Sequence, residues 1–194
     1  MSDHDPGLFP IHDLESAPDE SRPFLERVDA DFGMIPNLER VLAAAPAALE
    51  AYVRLWELFD QTSLSAVERQ VVYLTANYEN NCTYCVPWHT LLAEQAGMNR
   101  EAIEALRSGS AIADEKLESL RSFTRDLIEY RGHPPDTSWE AFASAGYGPV
   151  EGMEVILGLA TKLISNYTNG IAHTPLDALA ADRIWTKPKE GRGS

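Results

Sequence analysis

No segment of the chain sustains the apolar–polar alternation of a half-buried strand, whereas apolar residues at three- and four-residue spacing mark one helix after another. The expected fold class is therefore all-α. The pattern is clearest between Leu64 and Gly97. Ser65 and Glu68 make a capping-box pair, and Val67, Val71, Leu74 and Tyr78 follow at helical spacing towards Glu79. Asn80-Asn81 signals a turn. A second helix is expected from about Cys82 to Ala96, with Gly97 as its stop.

The same signals divide the rest of the chain. A helix is expected over 19–32, ended by Gly33, and Pro36 suits the first position of the next, which runs to Ala45. Pro46 opens another towards Asp60, where Leu49, Val53, Leu55, Trp56 and Phe59 form a broad apolar face. Asn99 caps a short helix to Arg107, closed by Gly109. A longer one spans 114–131, with Leu117, Leu120, Phe123, Leu127 and Tyr130 on its buried side. Thr137 and Glu140 read as a second capping box, for a helix ending at Gly146. Residues 148–172 form a strongly apolar helix with one polar stripe at helical spacing, Lys162, Asn166, Asn169 and His173. That stripe is either a solvated face or a set of groups turned towards a site. Pro175 opens a last helix to Trp185. Residues 1–18 read as an extended N-terminal arm, 19–186 as a single helical domain, and 187–194 as a disordered tail.

Composition narrows the function classes. At 194 residues and 44% apolar content, the chain suits one domain with a sizeable core. Its formal charge of −14 opposes binding to nucleic acid or an anionic membrane, because phosphates would be repelled. No run of eighteen apolar residues suggests a transmembrane helix, and no basic-then-apolar N-terminus suggests a secretory signal. A cytoplasmic location is the expectation, and a lone CxxC there points to catalysis or metal binding rather than to a structural disulfide.

Both cysteines of the chain lie in one motif, Cys82-Thr83-Tyr84-Cys85, with His89 four residues later. On a helix from Cys82 the three side chains share one face. Neighbours three apart have Cβ atoms about 5–6 Å apart, within reach of a disulfide after small adjustment. Free peptide N–H groups at a helix start favour thiolate, and a histidine can move the proton. Zinc is the rival, since Cys, Cys and His are all ligands. No second CxxC or HxxxH supplies a fourth, so no metal and no cofactor is expected.

The run from Glu68 to His89 resembles the AhpD-like branch of the carboxymuconolactone decarboxylase family, whose pattern has CxxC followed by histidine four residues on. Gly33-Met34-Ile35-Pro36-Asn37 and Asn166-Tyr167-Thr168-Asn169 are further phrases similar to longer members. The resemblance implies an AhpD-like helical bundle, a homo-oligomer, and a thiol peroxidase or disulfide reductase. It implies attack on a hydroperoxide by Cys85, with Cys82 resolving and meeting an unidentified dithiol or protein reductant, and His89 as proton carrier. Two positions depart from the pattern. Gln70 stands where the family has glutamate, and Tyr84 stands where it has histidine, so two proton carriers are missing. Gln70 is expected to orient a water or His89 through its amide, and Trp88 to line the pocket or an interface. Glu68 is expected to cap its helix. Asn166, Asn169 and His173 are secondary candidates for the site. The alternatives are a lactone-acid decarboxylase and a non-catalytic redox-sensing oligomer.

Overall fold

The computed structural model describes residues 8–189, so residues 1–7 of the arm and 190–194 of the tail lie outside the described residues. Among the described residues nine α-helices follow one another: α1 Arg22–Phe32, α2 Asn37–Leu42, α3 Pro46–Asp60, α4 Ala66–Glu79, α5 Cys85–Gln95, α6 Arg100–Ser108, α7 Glu115–Glu129, α8 Asp136–Ser144 and α9 Pro149–Ala172. A 3-10 helix at Ala178–Arg183 closes the order, and there is no strand among the described residues.

Helix α4 is the central pillar. Its capping box forms as the sequence implies: Glu68 N–H donates to Ser65 Oγ (3.2 Å) and Ser65 N–H to Glu68 Oε2 (2.8 Å). From Val71 to Asn77 every residue is buried, and α4 packs against α7, α5 and α9. Two apolar clusters meet along it. One joins α4 to α6, α7 and α8 through Leu74, Leu106, Leu120 and Phe142. The other joins α1, α2 and α3 to the CxxC turn through Leu25, Leu42, Leu49 and Val53. Burying a Leu or Phe side chain is worth about 1.5–3 kcal/mol, so the second cluster is what holds the thiol segment in place. Gly158 lets α9 close on α3 and α4: a Cβ there would lie 2.7 Å from Phe59 and 2.9 Å from Val72.

Several boundaries differ from those expected. Helix α1 starts at Arg22, because 19–21 form a turn. Helix α5 starts at Cys85, not Cys82. Asn81 takes a left-handed conformation (φ 52°) and the N–H of Cys82 turns back to the carbonyl of Asn77 (2.9 Å), so the first helical turn is wound from the Cys82 carbonyl, which accepts from Val86 N–H (3.1 Å). The capping box of Thr137 and Glu140 does not form. Helix α8 begins two residues earlier, behind Pro135, and Ser138 instead donates to Asp126. The expected helix from Pro175 to Trp185 is only the short 3-10 segment, because Asp177 is drawn into the core by partners from α2 and α5.

The described part of the arm lies on its own chain. His12 N–H donates to the carbonyl of Arg40 (3.1 Å), and Arg40 Nε donates back to the carbonyl of His12 (2.8 Å). Among the described residues, no helix is long and apolar enough to cross a membrane.

Candidate active site

Cys82 and Cys85 are free thiols, both buried, at the point where α5 leaves the α4–α5 turn. Cys82 sits in the turn and Cys85 on the first residue of the helix. The N–H of Cys85 donates to Cys82 Sγ (3.2 Å). The turn is also tied to α9. Asn77 Nδ2 donates to the carbonyl of Cys85 (3.3 Å), Asn166 Nδ2 to Asn77 Oδ1 (2.9 Å), and Asn80 Nδ2 to Asn166 Oδ1 (2.9 Å). Asn169 reaches the sulfurs themselves, with its Nδ2 3.2 Å from Cys85 Sγ and 3.9 Å from Cys82 Sγ. The polar stripe of α9 is thus buried against the thiols over Lys162, Asn166 and Asn169, while His173 is an exposed left-handed cap at the helix end.

His89 is brought beside Gln70, as the sequence suggests, and beside a lysine it does not. Its Nδ1 is 2.9 Å from Gln70 Oε1, which can only accept, so Nδ1 carries the proton. Its Nε2 then presents a lone pair, 2.9 Å from the ammonium of Lys162. Burial, then the charge of Lys162, hold the imidazole well below its ordinary value of 6.5, so the ring is neutral. The ring packs between Tyr73 and Trp56, at centroid distances of 4.8 and 5.6 Å. With that lone pair taken by an ammonium, His89 has no free electron pair for a metal ion. Among the described residues no group of three or more His, Cys, Asp and Glu is arranged to hold one.

The two thiols are electrostatically unlike. Burial pushes Cys85 up, but hydrogen bonding with Cys82, the Lys162 ammonium and the amides of Asn169 and Asn166 together bring it down to about 6. Cys82 is driven the other way, by its bond to Cys85 and by burial. Near neutral pH the site holds a thiolate on Cys85 beside a thiol on Cys82.

Tyr84 and Trp88 serve the architecture as well as the cavity wall. Tyr84 Oη donates to Asp177 and accepts from Leu38 N–H (3.2 Å), and Trp88 Nε1 donates to Asp177 Oδ2 (2.9 Å). Asp177 also accepts from Asn37 N–H (3.1 Å), so one carboxylate clamps α2 to α5. Glu68 lies away from the thiols. It caps α4, accepts from Tyr147 Oη (2.8 Å) and pairs with Lys116 (3.0 Å). Although burial acts against it, these bonds hold its carboxyl down at about 2.

Beside Cys85 opens a narrow cavity of about 30 Å³, walled mainly by rings: Phe32, Tyr52, Trp56, Tyr84 and Trp88. Cys85, His89, Lys162 and Glu39 are its polar groups. Lys162, Glu39 and Asp177 are the residues that reading the sequence for a site missed. Lys162 had a signal, as the one basic residue in the apolar run 149–172; Glu39, in an ordinary amphipathic hexamer, had none.

Residues 46–124 match the carboxymuconolactone decarboxylase family. No curated protein matches the chain significantly. Among solved structures, the fold is similar to the alkylhydroperoxidase AhpD core of an uncharacterized peroxidase-related protein from Ralstonia eutropha JMP134, with a TM-score of 0.77 and 17% identity over 89% of this chain and 93% of that one. An uncharacterized peroxidase-related protein from Silicibacter sp. TM1040 gives 0.75 and 19%, over 89% and 92%. The debrominase Bmp8 gives 0.75 and 16%, over 90% and 95%, and a variant of it is known in complex with 2,3,4-tribromopyrrole. At these identities the likeness establishes the fold.

Proposed function

We propose that the chain, whose residues 46–124 match the carboxymuconolactone decarboxylase family and whose fold is similar to the AhpD core, is a dithiol peroxidase acting on organic hydroperoxides at Cys85 and Cys82. The observation that carries this reading is the asymmetry of the pair. Cys85 is held as a thiolate by Asn169 and Lys162 at the wall of an apolar cavity, and Cys82, still a thiol, shares the same amide donor.

The Cys85 thiolate attacks the outer oxygen of the hydroperoxide. The O–O bond breaks, the sulfur becomes sulfenic acid, and an alkoxide leaves and is protonated to the alcohol. The Cys82 sulfur then displaces the hydroxyl, which departs with the thiol proton as water, and the disulfide forms. An external dithiol restores both thiols and is itself oxidised to a disulfide. Gln70 positions His89, and His89 positions Lys162. A homo-oligomer belongs to the same reading, supported by the exposed apolar stripe along α9.

The ring-lined cavity favours a second reading, reductive dehalogenation of a small aromatic, since the same two thiols carry the two electrons needed to replace halide by hydrogen. Lactone decarboxylation has less support, because no arginine lines the cavity to clamp a substrate carboxylate.

Reduced protein with excess dithiothreitol should consume cumene hydroperoxide catalytically. Cys85→Ser should abolish this, and Cys82→Ser should accumulate a sulfenic acid that dimedone traps. The intact mass after one oxidation should fall by about two hydrogens per chain. If hydroperoxide is not consumed while a bromopyrrole is, the second reading replaces the first. Stoichiometric oxidation without turnover would leave a redox sensor.

A further inference from the structure

Helix α2 sets a carboxyl group into the wall of the thiol cavity. Glu39 is only 7% exposed, and its Oε2 has no hydrogen-bond partner. Among the described residues it makes no ion pair, although Lys162 lines the same cavity. A buried carboxylate with an oxygen left unpartnered is costly, so such a group stays protonated and acts as a hydrogen-bond donor. The groups facing it are Tyr52 from α3, Tyr84, Cys85 and His89 from the start of α5, Lys162 from α9, and Asp177 from the segment before the 3-10 helix. Burial, together with the negative charges of Asp177 and Cys85, outweighs the pull of its own backbone and of Lys162 and raises its carboxyl to about 8.

Three other polar groups near Cys85 are poor proton donors. Both ring nitrogens of His89 are engaged, Gln70 has no acidic proton, and an ammonium lost from Lys162 would remove the charge that supports the thiolate. We propose that Glu39 is the general acid of this site, giving its proton to the alkoxide oxygen that leaves when Cys85 attacks an organic hydroperoxide. This inference rests on the peroxidase reading above. The balance is simple: hydroperoxide, Cys85 thiolate and neutral Glu39 become Cys85 sulfenic acid, alcohol and Glu39 carboxylate. Glu39 recovers its proton from solvent before the next turnover. A thiolate titrating below neutrality and a carboxyl titrating above it have the protonation states that a nucleophile and an acid need at pH 7.

The test compares two leaving groups on the same protein samples. Oxidation of the reduced wild type and of Glu39→Gln is followed by stopped-flow tryptophan fluorescence, with cumene hydroperoxide and with peroxybenzoic acid. Cumene hydroperoxide expels an alkoxide that needs a proton; the peroxy acid expels a carboxylate that does not. General acid help is typically worth about 10²–10⁴-fold, and Glu39→Gln should lose that much with cumene hydroperoxide while changing little with the peroxy acid. The ratio of the two rates does not depend on the fraction of folded protein, so imperfect folding cannot imitate the result. The wild-type rate with cumene hydroperoxide should also fall as pH rises through about 8, and this limb should vanish in Glu39→Gln. Equal losses with both oxidants, or no loss with either, overturn the role of Glu39 and leave the peroxidase reading standing. A wild type inert to both oxidants overturns that reading, and the inference with it.

Discussion

One lysine sets the chemistry of the two side chains nearest to it. Lys162 is almost fully buried, its ammonium donates to His89 Nε2, and its charge is among the causes that bring Cys85 down to about 6. A single opposite charge at close range moves a pKa by about one to three pH units. Lys162→Met should therefore raise the Cys85 titration towards that of an ordinary thiol, and iodoacetamide alkylation at pH 7 should slow by about tenfold or more. An unchanged titration, read from thiolate absorbance against pH, would assign the low value to Asn169 and the bond with Cys82. Gln70 governs the opposite side of the ring. Gln70→Glu keeps an acceptor for Nδ1–H and adds a negative charge, which favours the imidazolium. The His89 titration should rise and peroxide turnover near neutral pH should increase. An NMR titration of His89 separates this from a mere change in packing, since packing alone leaves the pKa low.

At the scale of elements, α4 carries the fold and α9 completes the site. Glu68 belongs to the first task. Its bonds to Ser65, Tyr147 and Lys116 keep its carboxyl near 2, below the usual 4.5. A carboxylate depressed in the folded state stabilises above its unfolded pKa, and this contribution drains away as pH falls through the folded one. Glu68→Ala should cost about 1–2 kcal/mol at pH 7, as a lost cap does. In urea unfolding the gap to wild type should narrow as pH falls from about 4.5 towards 2, while alkylation of Cys85 stays unchanged. A variant of normal stability but slowed thiol chemistry would give Glu68 a part in the site. In α9, Gly158 and the buried run of Lys162, Asn166 and Asn169 face inward along one side of the helix.

For the whole molecule, the outer side of that same helix is what remains open. Val150, Met153, Ile156, Leu163, Tyr167 and Ile171 are all exposed and run its full length. A stripe of this kind on a chain of formal charge −14 needs cover, because apolar contact must overcome repulsion between like-charged copies. The expected species in solution is an oligomer that includes α9, and light scattering after size exclusion should show it. Ile156→Glu with Leu163→Glu should shift the population towards monomer. Lowering the salt should weaken assembly in wild type, since less screening leaves more repulsion. A wild type that is monomeric at all concentrations would end this expectation.

The sequence alone carried whatever rests on local rules. Helical periodicity, proline and glycine punctuation and the Ser65–Glu68 capping box delivered the all-α class and most helix spans, because each depends on residues within a turn or two of each other. The CxxC and the histidine one turn on were legible for the same reason. Contact between Gln70 and His89 was also foreseeable, since consecutive helices joined by a short turn must pack together. What the tertiary structure decided is how distant elements meet. Whether the polar stripe of α9 faced water or the thiols depended on α9 packing against α3 and α4 some hundred residues upstream in sequence. Asp177 abolished the expected last helix because its carboxylate satisfies groups on α2 and α5 that would otherwise be buried unpaired. The same closure put Glu39 and Lys162 into one cavity with Cys85. No periodicity announces that meeting, because a charged residue's role is set by the groups that surround it after the chain has folded.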